Sequence, residues 1–180
     1  AMRPAVDVFG PLPYPALNSM LDGGAPAGLR NYFRGGYVED LSNDIIDVAL
    51  DHGSRMPSPM SQIHFHQMGG AVGRVPMGAT AFSGRDAGYT YNVISTWAEP
   101  AEDQQHMRAN RELADALAGM SMGRAYVNFQ SDRPGVDVST SDDRVAAMYG
   151  SAVHDRLARL KREYDPSNVF HLNQNVLPAR

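Results

Sequence analysis

An α+β fold is what this 180-residue sequence predicts: an antiparallel or mixed β-sheet with helices packed on one face, ending in an irregular C-terminal tail. Three observations carry that expectation. Residues 62–68 and 89–97 alternate with a period of two, the second stretch being dense in aromatic and β-branched side chains. Residues 41–53, 102–118 and 145–164 place apolar residues every three or four positions. The strand-like stretches also lie close together, with few helices between them to act as parallel crossovers. No glycine-rich loop follows the first strand, so Rossmann and P-loop folds gain no support.

Taken in order, residues 1–13 read as an irregular lead-in, 14–164 as an α+β domain and 165–180 as the tail. A short helix is expected from Tyr14, and strand-like aromatic spacing in "GLRNYFRGGYV", broken at Gly35-Gly36. "EDLSNDIIDVALDHG" reads as a helix, with Leu41, Ile45, Val48 and His52 on one side and Gly53 as its stop. In the strand from Gln62, Ile63, Phe65 and Gln67 face one way and His64, His66 and Met68 the other. "AVGRVP" and "ATAF" read as two further short strands, and "YTYNVISTW" as the clearest strand of all. A helix follows from Glu102 to Ala118, then a strand in "RAYVNF". The final helical stretch divides at Gly150 and stops at Pro166. The tail should be extended, with Phe170 anchoring it and Gln174 facing opposite to Asn173 and Asn175.

Composition narrows the function. The hydrophobic fraction of 43% allows a buried core, and a net charge of −4 with no basic run argues against nucleic acid. Cysteine is absent, which removes disulfide and thiolate chemistry and fits a cytoplasmic protein. No apolar run approaches the roughly 20 residues of a membrane span.

Candidate site residues each carry two readings. His64 and His66, at i and i+2, share a strand face and either line a substrate cleft, with acid–base chemistry open to them, or sit on a plain sheet surface. A metal site is not expected, because nothing nearby completes a ligand set. Tyr126 and Phe129 are core aromatics or site residues. Asn128, an amide inside a strand, is harder to explain by packing. Arg85, in a loop, meets an anionic ligand or simply solvent.

Four motifs carry a resemblance. "HFHQMGGAVGRVP", "ATAFSGRDAGY", "AYVNFQSD" and "RLARLKREYDPSNVFHLNQNVLP", in that order, resemble the C-terminal part of the berberine bridge enzyme-like flavoproteins of the vanillyl-alcohol oxidase superfamily. The resemblance spans about Tyr14 to Pro178. It implies the substrate domain and C-terminal return of a longer parent, with FAD held mainly by an N-terminal FAD-binding domain not contained in this chain. It implies Tyr126, His64 and His66 as candidates for proton transfer. It assigns Asn128, Asn173, Gln174 and Asn175 to the flavin side, and Phe65, Arg85 and Phe129 to the pocket of a small-molecule substrate. In several members the position of Phe129 is a tyrosine that acts as general base, and phenylalanine cannot accept a proton. The tail amides would then bond across a domain boundary. Without that domain the chain would bind no FAD and would expose an apolar patch that invites homo-oligomers. The competing reading is a non-enzymatic α+β domain that binds a ligand or a partner protein.

Overall fold

The computed structural model describes residues 10–20, 22–24, 26–131, 143–172 and 174–180. Its elements are α1 (Tyr14–Ser19), β1 (Arg30–Val38), α2 (Asn43–Gly53), β2 (Gln62–Gln67), β3 (Tyr89–Trp97), α3 (Asp103–Ala118), α4 (Asp143–Tyr149) and α5 (Ser151–Tyr164), with short 3₁₀ turns at Asp22–Gly24, Pro100–Glu102 and Val127–Phe129. The three strands form one antiparallel sheet in the order β1-β3-β2. The sheet is therefore antiparallel rather than mixed.

Alternation along the strands sorts the two faces. Val38 of β1, Tyr91 and Val93 of β3, and Ile63 and Phe65 of β2 pack with Ile45 of α2 and with Leu113, Ala114 and Leu117 of α3. Burying each such aliphatic side chain contributes about 1.5–3 kcal/mol, so this layer is the main source of stability. α2 starts where Ser42 caps it, its side chain accepting from the Ile45 N–H. α3 is fixed to the sheet by Asn110, whose buried amide donates to the Tyr32 and Val93 carbonyls at 3.1 and 2.9 Å. Trp97 stacks on His106 with ring centroids 4.8 Å apart and donates its indole N–H to Asp103. α4 and α5 divide at Gly150, whose φ of 78° lies in the left-handed region.

Four expectations need correction. β1 runs unbroken through Gly35 and Gly36. A Cβ on Gly36 would meet the Tyr91 ring at 2.7–2.9 Å, so the glycines admit a close neighbour rather than break the strand. "AVGRVP" and "ATAF" are not strands. They belong to a loop between β2 and β3, closed at its neck by Met68 N–H to the Gly88 carbonyl. That loop is folded on itself by Arg85, which bonds the Val72 carbonyl and the Thr80 hydroxyl. "RAYVNF" is not a strand either, for a reason given below. Lastly, Phe170 does not anchor the tail, since it is 83% exposed. The tail is irregular where it is described, and the carboxylate of Asp165 knots its start. That carboxylate pairs with Lys161 and accepts the Val169 and Phe170 N–H groups. The Lys161 bond holds Asp165 below the usual carboxylate range.

Candidate functional site

Among the described residues, no helix packs on the second face of the sheet in the way α2 and α3 cover the first. Register places Phe33, Gly35 and Tyr37 of β1, Thr90, Asn92 and Ile94 of β3, and His64 and His66 of β2 there. What lies over it is the segment 122–131. It runs antiparallel along the open edge of β1, and its backbone bonds to that edge lie near its two ends. Met122 N–H donates to the Tyr37 carbonyl and Tyr37 N–H to the Arg124 carbonyl. Ser131 N–H donates to the Phe33 carbonyl, and Phe33 N–H to the Ser131 hydroxyl. The segment has more residues between these anchors than β1 has, and the surplus must leave the ladder. It does so as the 3₁₀ turn Val127–Phe129. This arch explains why a strand-like sequence is not a strand.

The arch folds its aromatics onto the open face. Ring centroids run His64–His66 at 5.5 Å, His66–Phe129 at 5.8 Å, Phe129–Tyr126 at 5.0 Å, Tyr126–Phe82 at 5.7 Å and Phe82–Tyr37 at 6.2 Å. Six rings thus form one continuous row. Gly35 lets the arch approach, since a Cβ there would stand 3.0 Å from that of Phe129. The front of the arch is fixed by Arg124, which grips both carboxylate oxygens of Asp86 at 2.7 Å and the Ser83 carbonyl. Its rear is fixed by Gln130, whose amide donates to the Gly35 carbonyl at 2.6 Å.

Among the clefts beside the arch, two border Tyr149 and candidate site residues. The larger, about 550 Å³, is bordered by Asn128, Gln130, Ser131, Tyr149 and Gln174. The smaller, about 230 Å³, is bordered by Phe82, Ser83, Tyr126 and Tyr149. Asn128 donates its amide to the Tyr126 phenol oxygen at 2.8 Å, leaving the phenol hydrogen free for another acceptor. His64 bonds Gln62 at 2.7 Å, and burial, aided by the His66 charge, pushes its pKa down, which favours the neutral base. Burial pushes the phenols of Tyr37 and Tyr91 up to about 12, which removes both as bases near neutrality.

The structure thus brings Tyr126, Phe129, His64, His66 and Asn128 to one face, and sets Gln174 beside Asn128. Phe65 is elsewhere: it packs under the helices against Tyr91, because its position on β2 has the opposite parity to the histidines. Arg85 is held by its own loop and lies over the Phe82 ring. Asn173 lies outside the described residues. Asn175 is buried, and neither atom of its side-chain amide has a partner.

One residue escaped the sequence reading. Asn92 is 3% exposed, lies at the centre of the open face opposite both His64 and Gly35, and its side-chain oxygen has no partner. A lone amide in the middle of "YTYNVISTW" was the available signal. Among the described residues no group of three or more His, Cys, Asp or Glu is placed to hold a metal, and no helix is long and apolar enough to cross a membrane.

The profile of the family described as "Berberine and berberine like" matches residues 125–177, from the arch through the tail. The chain belongs to this family of FAD-linked oxidoreductases. Among its relatives, the FAD-linked oxidoreductase YgaK of Bacillus subtilis is 32% identical over 147 residues, 81% of this chain and 31% of YgaK. An FAD-linked oxidoreductase of Dictyostelium discoideum is 27% identical over 98% of this chain and 37% of its own length. The chain therefore spans about a third of the length of these curated relatives. Of solved structures, CrmK, a flavoenzyme of caerulomycin biosynthesis, superposes with a TM-score of 0.73 and 26% identity over 93% of this chain and 37% of CrmK. The berberine bridge enzyme of Eschscholzia californica shares the fold, with a TM-score of 0.69 and 18% identity over 84% of this chain and 33% of that one.

Proposed function

We propose that this chain forms the substrate-side wall of the flavin site in an FAD-dependent oxidoreductase that removes hydride from a small organic substrate. The observation that supports this best is the open sheet face. There an aromatic row, a neutral histidine and an unpartnered buried amide converge beneath an arch with clefts beside it.

The residues suit one part of FAD and not another. The described residues offer no glycine-rich strand–turn–helix element to cradle a diphosphate. They do offer amides around a polar cleft, so Asn128 and Gln174 would hold the ring end, and the phosphates would rest on an N-terminal FAD-binding domain. FAD, when bound, supplies the two-electron acceptor. The chain's own part is to position the substrate and receive its proton. Asn92 would offer its carbonyl oxygen to a substrate hydroxyl or amine only once the arch moves aside, since that oxygen is buried. Phe129 and His66 exclude water from that face. The proton goes to the Tyr126 oxygen when that residue has first given up its own proton to solvent and stands as a phenolate, with the Asn128 amide donating to it, or to the neutral ring of His64.

In the whole flavin-loaded protein, Tyr126→Phe is expected to slow flavin reduction by at least ~10²-fold, as loss of a general base does. An unchanged reduction rate would remove Tyr126 from this role. A whole protein without flavin absorbance and without affinity for FAD would overturn the reading itself.

A further inference from the structure

The arch is anchored to the sheet edge at both ends, yet one further contact reaches it from outside. Gln174, in the tail, donates its amide to the Gln130 carbonyl at 2.9 Å and accepts from the Arg144 guanidinium at 2.8 Å. Gln130 in turn donates to the Gly35 carbonyl. These three bonds form one line, from α4 through the tail and the rear of the arch to β1. Gln174 is the link that the tail supplies, and its single side-chain amide donates and accepts at once. The side chain is half-buried and borders the large cleft together with Asn128 and Gln130.

We propose that Gln174 is a positioning residue, holding the rear of the 127–131 arch, and with it the Tyr126–Asn128 pair, in place over the open sheet face. The function follows from what the arch lacks. Between its end anchors it leaves the ladder, so the turn carrying Asn128 and Phe129 rests on few bonds: Phe129 N–H to the Tyr126 carbonyl, and Gln130 to Gly35. The Gln174 bond comes from a different part of the chain and stops Gln130 from rotating away from β1. Anything that draws the tail aside loosens the site, and anything that seats the tail tightens it. This rests on the proposed function for its meaning, not for its test.

Gln174→Glu keeps the size and the bond from Arg144 but sets a carboxylate against the Gln130 carbonyl, removing the donor. Gln174→Met is a near-isosteric second variant, in case the charge disturbs folding. Hydrogen exchange on the whole chain, resolved at 127–131, is the readout. Both variants are expected to exchange roughly tenfold faster there, the effect of losing about one hydrogen bond, with β3 and α3 unchanged. Unaltered exchange at 127–131, or an equal rise in β3 and α3, would overturn the assignment. Neither measurement needs flavin, so failure here is distinct from failure of the Tyr126 test.

Discussion

Replacing Asn92 by leucine separates a side chain kept for stability from one kept for a ligand. The side chain is 3% exposed and its oxygen has no partner. A buried, unsatisfied polar atom costs about 1–3 kcal/mol, and exchange for an apolar group of like shape removes that cost. Leucine has the same number of side-chain heavy atoms as asparagine and branches at the same carbon. The variant should therefore be more stable by about 1–3 kcal/mol. For a chain of this length each kcal/mol moves the melting midpoint by about 2–4 °C, so a rise of roughly 2–12 °C is expected in circular dichroism. In the whole flavin-loaded protein the same change should slow substrate-dependent flavin reduction. A melting midpoint lowered by more than about 2 °C would show that the amide serves the fold, and the reasoning would fail.

Two further outcomes are expected. Gly88→Ala should abolish soluble folding, because its Cβ would stand 1.9 Å from the backbone carbonyl oxygen of Glu39; a well-folded variant with native circular dichroism contradicts this. The pKa of His64 is lowered from its ordinary 6.5, chiefly by burial and then by His66, so folding opposes its protonation. That contribution is complete above the ordinary value, and stability falls as pH drops from there through the lowered value. His64→Gln should flatten that limb of a plot of melting midpoint against pH, and an unchanged limb would refute the account.

The elements legible in the sequence were those whose own periodicity settles them. β3, α2, α3 and the α4–α5 pair each carry their signal within the segment. The parity of β2 was also legible: Ile63 and Phe65 do share a face. Which face is the core was not, because that depends on where α2 and α3 pack, so Phe65 went to the pocket and Asn92 was passed over. The arch misled for a related reason. Its residues suit an extended strand, but the distance it must span along β1 is shorter than its length. Phe170 shows a third limit: an apolar residue announces that something covers it, not whether the cover lies in the same chain.

The arch also fixes the order in which the molecule can be completed. Phe33 and Ser131 meet across 98 positions of sequence, so their pairing closes a long loop and comes late in folding. α2, β2, β3 and α3 all emerge from the ribosome before that partner does. Through this interval β1 offers "RNYFRGGYV" with an unpaired backbone edge, a ready template for another nascent chain. Synthesis that stalls or ends before residue 122 would leave that edge open for good. The short stretch that covers the site thus also closes the β1 edge of the sheet to other molecules.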